Sequence, residues 1–309
     1  MNVINSQLLH RIENNDTLLT TLQIGSYTMD PSEFERLGAA VARNTRLSSL
    51  MVDVTGNWYT VPREIFDGLR RNTSIHELEM YCSYEYNIGS GTLFEILVAC
   101  QEELTELFID HARLENGGHQ TLINLLRRCT KLKTIALQYG NTTGEQLLPM
   151  VDAIRGNASL LRSLEKLDIR NNRIGNEGCQ TLATLLTDPN TGLSTLNLAG
   201  NGIGSEGVIT IANSLASNTK LKELALYDNP IDTTMAQNTF ISLLCNATSI
   251  NDTYSSNHTL DSISLGRVDR SEHQFIWLLQ MNSGMNKSRV AILGRYYITI
   301  LLICHIYLS

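Results

Sequence analysis

Three apolar segments of this chain can be laid over one another without a gap, and that self-similarity constrains the fold more than any other feature. SLEKLDIRNNRIGNEG at 163–178 aligns with GLSTLNLAGNGIGSEG at 192–207, setting Leu164, Leu167, Ile169, Asn172, Ile174 and Gly178 on Leu193, Leu196, Leu198, Asn201, Ile203 and Gly207. KLKELALYDNPID at 220–232 continues the series with Leu221, Leu224, Leu226, Asn229 and Ile231. The shared form is L-x-x-L-x-L-x-x-N-x-[I/L], with periods of 29 and 28 residues. A fixed period of this size marks an array of small units, none of which can bury its own apolar face alone.

Weaker copies start at Leu132, Leu104, Ile75, Leu47 and Leu19, and another at Leu260 after an insertion around 250–256. The reading is nine repeats over residues 17–282. An N-terminal cap at 1–16 precedes them, and a C-terminal cap or tail at 283–309 follows. Within each unit the L-x-x-L-x-L stretch predicts a short strand with alternate residues buried, stacked in parallel on its neighbours about 4.8 Å apart. The Asn that follows is suited to satisfy backbone groups where the chain leaves the strand.

The second half of each unit predicts a helix with one buried stripe, from apolar pairs four residues apart. These are Leu37/Val41, Ile65/Leu69, Leu93/Leu97, Leu122/Leu126, Met150/Ile154, Leu182/Leu186 and Ile211/Leu215. Three residues before the next strand stand Asn44, Asn72, Asn157, Asn190, Asn218 and Asn257, with Gln101 and Cys129 in the same slot of two copies. That slot makes Cys129 structural rather than reactive.

The repeat unit resembles the ribonuclease-inhibitor-like class of leucine-rich repeats, which also includes the sensor repeats of NOD-like receptors and the GTPase-activating protein for Ran. Residues 160–232 carry the resemblance most fully. Elsewhere Tyr27, Thr55, Ser83, Ala112, Gly140 and Val268 stand where the motif has Asn. The resemblance implies an α/β fold: a right-handed leucine-rich-repeat solenoid, or horseshoe, with parallel strands on the concave face and helices on the convex face. It also implies a protein-binding module whose partner sits on the concave face.

The residues between the buried leucines point to where that partner touches. One lane reads Gln23, Met51, Glu79, Phe108, Ala136, Asp168, Asn197, Ala225 and Ser264. The next reads Gly25, Asp53, Tyr81, Asp110, Gln138, Arg170, Ala199, Tyr227 and Gly266. Repeats three to six stand out, because Glu77, Glu79, Tyr81, Glu106, Phe108, Asp110 and His111 form an acidic patch with aromatic anchors. Tyr139, Asp168 and Arg170 continue it, and Tyr227 lies further along. Aromatic residues beside charges are what interfaces use as hot spots. The expected partner is a basic protein whose binding weakens with salt.

Composition narrows the alternatives. The chain has 42% hydrophobic residues and only 5 prolines, which supports a packed core. A net charge of −7 disfavours nucleic acid, which needs a Lys/Arg-rich face. Cys82, Cys100, Cys129, Cys179, Cys245 and Cys304 show no C-x-x-C pair, so reduced thiols in a cytoplasmic protein are expected, with neither a zinc site nor a disulfide framework. The N-terminus has no basic and apolar leader pattern. The Asn-x-Ser/Thr triplets at Asn72, Asn141, Asn157, Asn246 and Asn257 read as chance in an Asn-rich chain.

No enzyme, cofactor or metal is expected. The seven histidines lack ligand spacing, and the Gly-bearing stretches lack the lysine of a phosphate loop. His111 beside Asp110 could approach Cys82 across repeats, but a Cys–His pair without an oxyanion hole is no nucleophilic site. Stimulation of a small GTPase, implied by the Ran-activator resemblance, is the alternative function, although the acidic tail of that family is not found here. The apolar end YYITILLICHIYLS at 296–309 is short for a membrane span, which needs about 20 residues. A cap on the last repeat, a weak membrane contact and a gene-model error are the open readings of this stretch.

Overall fold

A computed structural model describes residues 3–24, 26–27, 30–54, 63–82, 103–111, 114, 117–245, 256–257 and 259–266. The pair Leu93/Leu97, the slots Gln101, Thr55, Ser83, Ala112 and Val268, the lane residue Gly25 and the whole stretch 267–309 lie outside these residues.

The predicted alternation of strand and helix is present. The strands are β1 (Val3–Ile4), β2 (Thr21–Ile24), β3 (Ser26–Tyr27), β4 (Ser49–Val54), β5 (Glu77–Cys82) and β6 (Glu106–Asp110). They continue with β7 (Thr134–Gln138), β8 (Lys166–Asp168), β9 (Thr195–Asn197), β10 (Glu223–Ala225) and β11 (Ser262–Ser264). The α-helices described are α1 (Ser6–Glu13), α2 (Phe34–Arg43), α3 (Arg63–Leu69), α4 (Gly118–Arg128) and α5 (Gly144–Gly156). They are followed by α6 (Ala158–Ser163), α7 (Gly175–Leu186), α8 (Ser205–Leu215) and α9 (Thr233–Leu244). Nine strands form one sheet in the order β11-β10-β9-β8-β7-β6-β5-β4-β2, and β1 pairs with β3 in a second. This is the α/β solenoid expected of the repeat.

The chain divides into two compact units, Met1–Thr142 with Asp152–Ile169, and Thr143–Val151 with Arg170–Ser309. In the first, strands β2 and β4 to β8 are paired in parallel, in a register that sets Leu22 beside Leu50, Leu50 beside Leu78, Leu78 beside Leu107, Leu107 beside Ile135 and Ile135 beside Leu167. Each of these side chains is buried. In the second unit Leu196, Leu224 and Ile263 form the corresponding row. Every predicted helix pair among the described residues is buried. The lengthened step from Leu132 to Leu164 is taken up by α6, an extra short helix whose N-cap Asn157 accepts the Leu160 N–H.

The polar slot at the helix exits proves to be a ladder. Nδ2 of Asn72 donates to the carbonyls of Val41 at 2.7 Å and Asn44 at 2.9 Å, in the repeat before. Its Oδ1 accepts the N–H groups of Ser74 and Ile75, where its own repeat turns toward β5. Asn44 does the same between Ile12 and the pair Arg46 and Leu47. Asn218 links Leu186 to Lys220 and Leu221, and Asn257 links Leu215 to Thr259 and Leu260. One buried amide thus serves two sets of backbone groups that a helix end leaves without partners. Burial of Asn72 and Asn257 in these rungs also supports reading their triplets as chance rather than as modification sites. Asn190 departs from the pattern: it is exposed and hydrogen-bonds Asp188, while Thr191 is buried beside it.

A second, shorter ladder joins strand exits in the second unit. Nδ2 of Asn229 donates to the carbonyls of Leu198 and Leu226, and its Oδ1 accepts the N–H groups of Asn201 and Ile203. This is the role expected of the motif Asn, in the repeats that match the motif best.

Candidate surface on the outer face of the sheet

Since buried leucines alternate with outward residues along each strand, the register of the first unit fixes which outward side chains are neighbours. Glu79 pairs with Phe108, and Tyr81 with Asp110, one row further along the same two strands. Aromatic rings occupy one diagonal of this square and carboxylates the other. The Tyr81 and Phe108 ring centroids lie 5.3 Å apart, tilted by 47°. The Tyr81 hydroxyl donates to Glu79 Oε2 at 3.0 Å, tying an aromatic of one row to an acid of the next.

All four side chains are part-exposed, as is Glu77, while Glu106 is exposed. Asp53 pairs with Tyr81 on the β4 side, so another carboxylate borders the square. The charges act on what is near them. Burial first, then Glu79 and Asp110, raise the Tyr81 hydroxyl above its ordinary range. Burial foremost, then Asp110 and Asp53, push the Cys82 thiol to about 12. Among the described outward positions of β4 to β7 there is no Lys or Arg.

At the strand exits, His111 and Tyr139 stack with centroids 4.4 Å apart and planes within 4°. His111 Nδ1 lies 2.9 Å from Asp110 Oδ1, and its backbone N–H donates to the Gln138 carbonyl. Both residues are in the left-handed region, with φ of 59° and 52°. Asn171, Gly200 and Asp228 hold the same place and the same backbone sign in the second unit. Asn, Gly and Asp tolerate that conformation well; a tyrosine does so only at a cost. The repeat aligns these positions with Asn171, Gly200 and Asp228, whereas residue preference alone does not favour Tyr139 there.

Not every residue expected on the face is open to solvent. Asp168 is only 4% exposed and accepts from Gln138 Nε2 at 3.2 Å, with Gln138 and Ala136 also buried. Arg170 and Tyr227 belong to the second unit, where both are part-exposed. Asp53 is the acid that the expected patch left out; its place in the Tyr81 row was the available signal.

The arrangement is poorly suited to covalent chemistry. A thiol pushed to about 12 is far from the thiolate that a nucleophile needs, and His111 is engaged by Asp110 and Tyr139. Among the described residues no group of three His, Cys, Asp or Glu could hold a metal ion. No helix of the described residues is long and apolar enough to cross a membrane. Cys82, Cys129, Cys179 and Cys245 are buried and form no disulfide. At pH 8 the Cys82 thiolate fraction is expected to lie about a thousandfold below that of a thiol at the ordinary value of 9.0. Residue-resolved mass spectrometry after iodoacetamide treatment checks this: Cys82 should stay unmodified in native protein and react in denaturant.

Residues 161–183 and 190–212 match the family model described as Leucine Rich repeat. These stretches span the two best-aligned repeats. No curated protein matches the chain. Among solved structures the chain is similar to leiomodin-1, in a structure described as its actin-binding site 2, at 14% identity and a TM-score of 0.40, covering 60% of this chain and 95% of that one. It is also similar to the tropomodulin C-terminal domain of Caenorhabditis elegans, at 16% identity and a TM-score of 0.42, covering 57% of this chain and 98% of that one. Neither likeness bears on what this chain binds.

Proposed function

Because the chain is a leucine-rich-repeat protein, we propose that it is a non-catalytic interaction module which holds a protein partner against the outward face of β4 to β7. The observation that carries this reading is the Glu79/Phe108 and Tyr81/Asp110 square, where part-exposed rings and carboxylates alternate. A stable interface needs desolvated anchors within a polar rim, and half-buried aromatics among acids supply both. Glu77, Glu106 and Asp53 extend the negative field, and His111 with Tyr139 forms its edge at the strand exits. Asp168, buried on the neighbouring strand, contributes by accepting from Gln138 Nε2. Arg170 and Tyr227, part-exposed in the second unit, are further candidates for partner contact.

The partner is basic. A face whose described outward charges are carboxylates repels nucleic-acid phosphates and attracts a cationic protein surface, most strongly at low ionic strength. The setting is cytoplasmic, in keeping with buried cysteines that form no disulfide.

Charge reversal tests the surface. Partners captured from source extract by the wild-type chain at low salt should fall at least about tenfold with Glu79→Lys combined with Asp110→Lys, a loss typical of replacing close interfacial charges. Reversal of Asp188 and Glu206, in the second unit, is the control for net charge alone. Equal capture by the wild type and the Glu79/Asp110 variant would rule this face out.

A further inference from the structure

The square of Glu79, Phe108, Tyr81 and Asp110 has a property that an acidic face in general lacks, because each ring has one carboxylate beside it along the strand and another across it. Resting on the face proposed above, we propose that this square is a seat for the guanidinium group of an arginine in the partner, and that the partner therefore presents an arginine-bearing segment rather than a merely basic one.

The argument is one of complementary chemistry. A guanidinium is planar, stacks on aromatic faces and forks two parallel N–H donors onto a carboxylate. An ammonium is a compact, strongly hydrated point charge that uses the carboxylates well and the ring faces less. The Tyr81 and Phe108 rings, tilted by 47° with centroids 5.3 Å apart, offer two differently inclined faces. Glu79 is held by the Tyr81 hydroxyl, so one carboxylate is oriented before any ligand arrives. Asp110 Oδ1 lies 2.9 Å from Nδ1 of His111, whose ring is itself stacked on Tyr139. Preorganisation of this kind lowers the ordering cost of binding. On either side, the outward residues of the neighbouring strands are uncharged or acidic: Met51 and Asp53 on β4, Ala136 and Gln138 on β7. A cation on the square thus meets no like charge from those strands.

Anisotropy of labelled nona-arginine and nona-lysine peptides, titrated with the full chain at 50 and 300 mM salt, tests the proposal. Nona-arginine is expected to bind at least about fivefold tighter than nona-lysine, the advantage of adding ring contacts to charge. Phe108→Leu and Tyr81→Leu remove ring faces without changing charge, and each should erase most of that preference while leaving nona-lysine binding within about twofold. Glu79→Gln and Asp110→Asn should weaken both peptides. Thermal melts of each variant establish that it is folded. If the ring variants leave the arginine preference intact, or there is no preference, the seat is overturned while the acidic face stands. If the charge variants leave both peptides unaffected, the face itself is overturned along with the seat.

Discussion

Gly38→Ala is expected to destabilise the protein by about 3 kcal/mol, toward the upper end of the penalty for forcing extra volume into a packed interior. An ideal Cβ at Gly38 would lie 2.2 Å from the carbonyl oxygen of Glu64, and one at Gly68 would lie 2.4 Å from the carbonyl oxygen of Gly38. The obstructing atoms are backbone atoms of adjacent helices, so a side-chain rotation cannot relieve the clash. Helices α2 and α3 must move apart, and the buried contacts of Leu37, Val41, Ile65 and Leu69 open with them. Gly156→Ala is the matched control, because its Cβ would meet nothing within 4 Å, and its effect should stay within about 1 kcal/mol. Urea denaturation of the two variants checks the difference; equal midpoints would mean that the two helices are not in backbone contact.

Asn72→Leu should cost about 3–5 kcal/mol. The change leaves the Ser74 and Ile75 N–H groups without the amide that serves them, at about 1–3 kcal/mol for each buried group left unsatisfied, and takes one of two donors from the Val41 carbonyl, which keeps the Asn44 N–H. The Asn44 carbonyl suffers less, since the Ser74 hydroxyl also donates to it. Asn72→Asp separates the two halves of the rung, keeping the acceptor and setting a carboxylate against two carbonyl oxygens. Its folded-state pKa would be raised, so its stability should be greatest at low pH and be lost as pH rises through that titration. Asn190→Ala, in the same sequence slot, should be nearly silent, because that amide is exposed and bonds only locally to Asp188. Thermal melts of the three variants across pH 4 to 8 give the comparison.

The contrast between Asn72 and Asn190 shows how far a sequence of this kind can be read. Strands, buried rows and helix stripes were legible, because each is a local period that the stacked copies amplify. The rows that place Glu79 beside Phe108 and Tyr81 beside Asp110 follow from the same arithmetic, since in a parallel sheet of regular units the register is the repeat. Contacts decided through space were not legible. Asn190 and Asn218 look alike in one dimension, and only the position of the preceding helix separates a rung from a surface residue. Asp168 looked like a surface acid until Gln138 was found reaching across to it. The left-handed backbone at Tyr139 runs against residue preference, so propensity alone does not place it. The need for glycine at 38 and 68 likewise comes from a neighbouring helix.

The helix-exit ladder has a direction. Asn44 closes a carbonyl 32 residues before it, Asn72 one 31 residues before, and Asn218 one 32 residues before. Each rung points back toward the N-terminus. On a ribosome adding roughly 5–20 residues per second, the end of each of these helices therefore waits about 2–6 s for the amide that will satisfy it. Where such a rung exists, a repeat made earlier has its helix end completed by the repeat made after it. Slowing translation would lengthen the exposure of a single helix terminus, while the units already closed behind it stay as they are.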